Sequence, residues 1–200
     1  MKNGMMMTNN RIMSLDQATI SCGYSIFEED GELVESGRFM ADKKEKNITS
    51  RIEKIYTQIY NKSIEQNVKY FVFEDTFNKL NIQVTKNLCW LQGAIMQMSF
   101  INDYGFVMYY PSSWRSKLEF KRKNKKNNPQ LDFKNNREYA KFQAIEYVNK
   151  KYNMRLEYKK EGDDDIAEAI CIGLAYLKDK IELLAKNKII RKVWKIVKNK

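Results

Sequence analysis

Apolar residues recur along this chain with a period of two in some stretches and of three to four in others, and the switches mark its elements. Residues 11–15 form a short apolar stretch that ends at Asp16, which reads as a strand with a carboxylate at its C-terminal end. Residues 20–27 alternate as a second strand. Glu29, Asp30 and Gly31 supply turn chemistry, and residues 32–40 give a third, so the chain opens on three antiparallel strands. Ile48, Ile52, Ile55 and Ile59 recur at helical spacing, with Asn47 or Thr49 placed to cap the helix. Residues 68–73 are a nearly unbroken apolar run ending at Glu74, the pattern of a central strand covered on both faces.

A second helix is predicted over 82–102. Leu88, Leu91, Ile95 and Met98 make its inner stripe, while Cys89, Trp90 and Met96 spread apolar surface around other sides. Such a helix packs on more than one neighbour or at a dimer interface. A fifth strand is predicted over 106–110 and a short helical turn from Pro111 to Leu118. A helix over 135–152 turns Tyr139, Phe142, Ile145 and Val148 inward. The last main helix opens at Asp163 and is expected to bury Ile166, Ile170, Gly173, Leu174, Leu177, Ile181 and Leu184. The whole reads as an α/β fold: a five-stranded mixed sheet, its first three strands antiparallel, flanked by helices.

Length and composition set the organisation. Two hundred residues fit one domain. The expected division is a disordered lead-in over 1–10, a folded domain over 11–185 and a basic tail over 186–200, which has no acidic residue. The lead-in lacks the apolar core of a signal peptide, and no run is long and apolar enough to span a membrane. The expected location is therefore cytoplasmic. Cys22, Cys89 and Cys171 are widely spaced in apolar surroundings, and are expected to be buried free thiols in a reducing compartment.

Charge narrows the partner. Thirty-six Lys and Arg against 25 Asp and Glu give a net charge of +11, which attracts polyanions, nucleic acids first among them. Lys117, Lys121, Arg122, Lys123, Lys125 and Lys126 concentrate that charge in one segment around Phe120, the pattern of a backbone-phosphate contact. A solvated loop would read the same way. The chain has no histidine, which removes Ser-His-Asp and Cys-His nucleophilic systems and every His-containing zinc site.

The acidic residues suggest what chemistry remains. Asp16 ends the first strand, Glu74 ends the fourth, and Asp163, Asp164, Asp165 and Glu168 crowd the start of the last helix. If the first and fourth strands are neighbours, Asp16 and Glu74 leave the same sheet edge. Asp165 and Glu168, three apart, share a helix face. Carboxylates gathered at one point repel unless a cation joins them or some are protonated. All-oxygen ligands select Mg²⁺ or Mn²⁺. Two such ions about 4 Å apart can clamp a scissile phosphate without any histidine. Taken singly, each acid has a plainer explanation: Asp16 as a turn residue, Glu74 as a surface carboxylate, the Asp run as helix N-terminal residues favoured by the dipole.

Three segments in this order resemble the RuvC family of Holliday-junction resolvases, within the RNase H-like superfamily. They are Ser14-Leu15-Asp16-Gln17-Ala18 followed by Cys22-Gly23-Tyr24-Ser25; Phe73-Glu74-Asp75-Thr76-Phe77; and Asp165-Ile166-Ala167-Glu168-Ala169. Weaker matches lie at Trp90 to Gly93, where the family has its dimer helix, and at Pro111-Ser112-Ser113-Trp114-Arg115. The resemblance runs from about Arg11 to Tyr176 and implies an RNase H-like fold. It implies Asp16, Glu74, Asp165 and Glu168 as catalytic metal ligands, with Asp164 an alternative to Asp165, and two Mg²⁺ or Mn²⁺ ions per site. It further implies that Phe77 inserts at a junction centre, that Arg115 and Lys141 contact phosphates, and that a homodimer nicks four-way junctions in pairs. Glu168 stands where the family more often has Asp, and the long basic segment and tail lie outside the family pattern. The Lys- and Asn-rich composition suits a phage-encoded member acting in a bacterial cytoplasm. Two other functions fit the same residues: an RNase H-like nuclease for RNA–DNA hybrids or flaps, and a non-catalytic junction- or DNA-binding protein.

Overall fold

The central strand of the sheet is the first in the chain, and its residue types explain why. The structure, a computed structural model, describes residues 10–76, 81–122 and 133–198, the last twelve of these by backbone alone. In β1 (Arg11–Asp16) Ile12, Met13, Ser14 and Leu15 are all buried, so both faces of the strand are covered. It pairs antiparallel with β2 (Ser21–Phe27) on one side and parallel with β4 (Val68–Glu74) on the other. β3 (Leu33–Met40) adds antiparallel to β2, and β5 (Gly105–Tyr109) adds parallel to β4. The order is β3-β2-β1-β4-β5. The mixed five-stranded sheet expected from the pattern is the one observed.

The period of two sorts side chains between two cores. Met13, Leu15, Cys22, Tyr24, Ile26, Phe71 and Phe73 face α1 (Ile48–Glu65) and α2 (Ile82–Ile101). Ile12, Phe27 and Val72 face the layer formed by α3 (Pro111–Lys117), α4 (Asn136–Tyr152) and α5 (Asp163–Lys198). The helices start where short polar residues cap them: Asn47, Asn81 and Asn135 each accept two backbone N–H bonds in the first turn of α1, α2 and α4. Pro111 opens α3, where its missing N–H costs nothing.

The layer under α5 is built from small residues. A side chain at Gly23 would put its Cβ 2.0 Å from the carbonyl oxygen of Asp165, and one at Gly173 would meet Phe27 at 2.3 Å and Ser14 Oγ at 2.5 Å. The Ser14 and Ser25 hydroxyls bond to each other beneath the helix, and Ser25 also donates to the Ala169 carbonyl at 3.2 Å. These residues let α5 lie directly on β1 and β2.

Two expectations are corrected. Cys89 is exposed, because it lies off the Leu88–Leu91–Ile95 stripe by which α2 packs, whereas Cys22 and Cys171 are buried as expected. Ile181 and Leu184 are exposed by 64% and 54%, since α5 has run past the sheet by that point and its buried face ends at Leu177. The α5 backbone continues helical through position 186 to Lys198. Among the described residues no helix is long and apolar enough to cross a membrane.

Candidate active site at the carboxyl end of the sheet

Parallel pairing aligns Leu15 with Phe73, so the next residues, Asp16 and Glu74, end neighbouring strands side by side. Both share the parity of Ile12 and Val72, and therefore face the α5 layer. The close approach allowed by Gly23, which pairs with Asp16, brings the first turn of α5 to the same edge. Asp16, Glu74, Asp165 and Glu168 thus share one electrostatic neighbourhood. Burial pushes the Asp16 carboxyl well above its usual range, and the negative charges of Glu168, Glu74 and Asp165 push it further, against the pull of Lys141. Glu168 is buried and raised chiefly by that burial, with Arg115 opposing and Glu74 adding to the rise. Asp165 is raised by burial although Ser21 donates to its Oδ2 at 2.5 Å.

The three consecutive aspartates have three different surroundings. Asp163 accepts the backbone N–H of Glu157 at 2.8 Å and ties the preceding loop to the helix start. Asp164 forms an ion pair with Lys141 of α4. Asp165 turns toward β2 and Ser21. A run of like residues cannot disclose this split; only the 100° step between successive helix positions produces it.

Glu74 and Glu168 are both engaged by α3. The Trp114 indole Nε1 donates to Glu74 Oε1 at 2.6 Å, and one Arg115 Nη2 lies 2.8 Å from Glu168 Oε1 and 3.7 Å from Glu74 Oε1. The Glu74 backbone is fixed from the other side, where Gln92 of α2 donates to its carbonyl at 2.7 Å. Trp114, Ser21 and Gln92 were not singled out from the sequence. Trp114 had a visible signal, being a large aromatic beside Arg115 in a polar turn, but the partners of Ser21 and Gln92 lie 144 and 18 positions away in the chain.

The basic residues divide. Lys141 and Arg115 reach the acidic cluster. Lys117 pairs with Asp179 of α5. Lys121 and Arg122 are exposed. Phe77, Lys123, Lys125 and Lys126 lie outside the described residues.

The donor set suits a hard divalent cation. Its ligand atoms are all oxygen, and Asp16 feels the negative charges of Glu168, Glu74 and Asp165 on top of its burial. Still, among the described residues no group of three or more acidic or thiol side chains stands ready to hold a metal ion. Glu74, Glu168 and Asp164 are turned instead to Trp114, Arg115 and Lys141.

The sheet order, the mixed pairing and the helix layers define an RNase H-like fold, as expected from the sequence. RuvC of Thermus thermophilus, solved in complex with a Holliday junction substrate, superposes with a TM-score of 0.62 at 12% identity, over 86% of this chain and 96% of that one. Another Thermus thermophilus RuvC structure gives 0.62 at 13%, with the same coverage. The yeast mitochondrial Holliday junction resolvase Ydc2 gives 0.56 at 13%, over 92% of this chain and 85% of that one. No family model and no curated protein matches the chain.

Proposed function

We propose that this protein is a Mg²⁺- or Mn²⁺-dependent endonuclease that acts on branched DNA, four-way junctions above all. One observation supports the reading: Asp16 at the carboxyl end of β1 feels the charges of Glu74, Asp165 and Glu168, on a fold shared with junction resolvases. In this reading those four carboxylates hold the metal, and the side chain of Asp165 is favoured over that of Asp164, which Lys141 engages. The chemistry supplied by the bound ions is activation of water and stabilisation of the leaving 3′ oxygen.

The chain's own groups do the rest. Trp114 and Gln92 fix the Glu74 side chain and backbone. Lys141 lends positive charge beside the scissile position. Lys121 and Arg122, with Lys117 and the rest of the basic segment, hold backbone phosphates. Phe77 is proposed as the wedge at the branch point.

A homodimer with twofold symmetry would present two sites to the two symmetric strands of a junction. The outer surface of α2 supports it: Ile82, Trp90, Phe100 and Ile101 are exposed at points along the helix.

A non-catalytic DNA-binding protein is the second reading, and the neutralisation of Glu74 and Glu168 by α3 favours it. A labelled synthetic junction, with linear duplex and RNA–DNA hybrid controls in Mg²⁺ and in EDTA, decides between them. Metal-dependent paired nicks at the junction are expected. Tight binding without cleavage would establish the second reading, and cutting of the hybrid alone would make the protein a hybrid nuclease.

A further inference from the structure

The Arg115 guanidinium occupies a distinctive place. It pairs through one nitrogen with both Glu168 and Glu74, at 2.8 and 3.7 Å. Its carbon stacks 4.7 Å from the centre of the Trp114 ring, and that ring's own Nε1 binds the same Glu74 oxygen. Trp114 is fully buried, so the platform beneath the guanidinium is rigid. Arg115 Nε, by contrast, is buried and has no hydrogen-bond partner among the described residues. A guanidinium seated between two carboxylates thus leaves its buried Nε–H without a partner among the described residues. An unmet donor of this kind costs free energy and marks a position that another partner would complete.

We propose that Arg115 is a built-in counter-cation that holds the Glu74 and Glu168 carboxylates before a divalent ion arrives, and competes with that ion for them. The inference rests on the reading of this cluster as a metal site. Its physical basis is the same for any cation. Two carboxylates near a third, Asp16, need positive charge nearby. Arg115 supplies it from the protein itself.

Glu168 and Glu74 would hold an entering divalent ion through the oxygens that Arg115 now pairs. The guanidinium, still stacked on Trp114, is then released to offer its planar fork to a phosphate, the anion whose geometry it matches. Metal and DNA phosphate therefore reinforce each other: the ion frees Arg115 for the phosphate, and the phosphate draws Arg115 off the carboxylates. By reciprocity the two ligands raise each other's affinity by one shared factor.

The test is Mn²⁺ binding to the DNA-free protein, followed by electron paramagnetic resonance of the unbound ion. Wild type, Arg115→Met, Arg115→Lys and Asp16→Asn are compared, each checked for folding by circular dichroism. Arg115→Met is expected to bind Mn²⁺ at least about tenfold more tightly than wild type, because it removes a unit charge at ion-pair distance from two ligands. Arg115→Lys, which keeps the charge without the fork, falls between the two and decides the matter if Arg115→Met does not fold. Asp16→Asn loses the ion.

Equal or weaker Mn²⁺ binding by the Arg115 variants, with Asp16→Asn still defective, overturns the counter-cation and leaves the metal site standing. Mn²⁺ bound equally by wild type and Asp16→Asn overturns both, since the ion then sits elsewhere. Absence of binding to every variant does the same. Binding by Arg115→Met where wild type binds none is the strongest support.

Discussion

Two carboxylates on opposite faces of the same sheet live in opposite electrostatic conditions. Glu35, on the α1 side, takes a hydrogen bond from the Tyr24 hydroxyl at 2.5 Å and an ion pair from Lys62 at 3.1 Å. Burial pushes it up, but Tyr24, Lys62 and Arg11 outweigh that and hold it below its ordinary value. Asp16, on the α5 side, is driven up by burial and by three other acids. The α1 face packs bulky Phe71, Phe73, Ile26 and Leu15, with its one buried-edge acid fully answered. The α5 face spends its positions on Ser14, Ser25, Gly23 and Gly173, and gathers acids it cannot answer without help. One face is packed for stability, and the other gathers acids that draw their countercharge from Arg115 and Lys141.

The largest effect expected on that contrast is on cleavage. Asp16→Asn and Glu74→Gln should each lower junction cutting by more than the roughly 10–100-fold that follows loss of a ligand's outer-shell support, with junction binding largely kept. Single-turnover cleavage beside gel-shift binding measures both, and wild-type rates in either variant would remove that residue from the site. Phe71→Ala tests the other face. It should cost about 3–5 kcal/mol of stability by urea unfolding, yet leave the cutting rate of the folded fraction unchanged.

Gly23→Val sharpens the comparison. The added side chain meets the Asp165 backbone, so α5 must lift from β2. Cutting should fall more steeply than stability, the reverse of Phe71→Ala. A variant that melts low but cuts normally would mean that the helix start is not held by this close approach.

The two carboxylates also predict opposite pH behaviour. For Asp16 and Glu168 the folded state binds protons more tightly than the unfolded chain, so in EDTA their contribution to stability falls as pH rises from the ordinary carboxylate range through their raised values. Asp16→Asn should raise the EDTA melting temperature at neutral pH by a few degrees, about 2–4 °C for each kcal/mol of repulsion relieved. Millimolar Mg²⁺ should raise that of wild type and not of the variant. Glu35 has the reverse sign: its contribution is present above the ordinary carboxylate range and is lost as pH falls through its depressed value. Glu35→Gln should therefore lower the melting temperature slightly at pH 7 and progressively less as the pH falls below the ordinary carboxylate range. It is partly exposed, so solvent screening keeps the effect small. Smallest of all is Lys121→Ala with Arg122→Ala, expected to reduce the salt slope of DNA binding by about one for each phosphate left without its cation.

Local residue patterns set the elements and their order. The apolar run Ile12 to Leu15, the isoleucines of α1 and the Asn caps act over a few residues, and local geometry turns such spacing directly into strand or helix. The sequence also placed acids at the ends of β1 and β4 and at the start of α5. The burial of Cys89, Ile181 and Leu184 was misjudged because periodicity reports a stripe, while only the neighbouring layer decides how far that stripe is covered. Tertiary structure alone decided which Asp of 163–165 turns to which partner, that Ser21 and Trp114 serve the acids, and that Arg115 bridges Glu74 and Glu168. The physical reason is range. Hydrophobic period is written between near neighbours, whereas the field at a carboxylate is summed over every charge and dipole that folding brings within a few ångströms, wherever it stands in the chain.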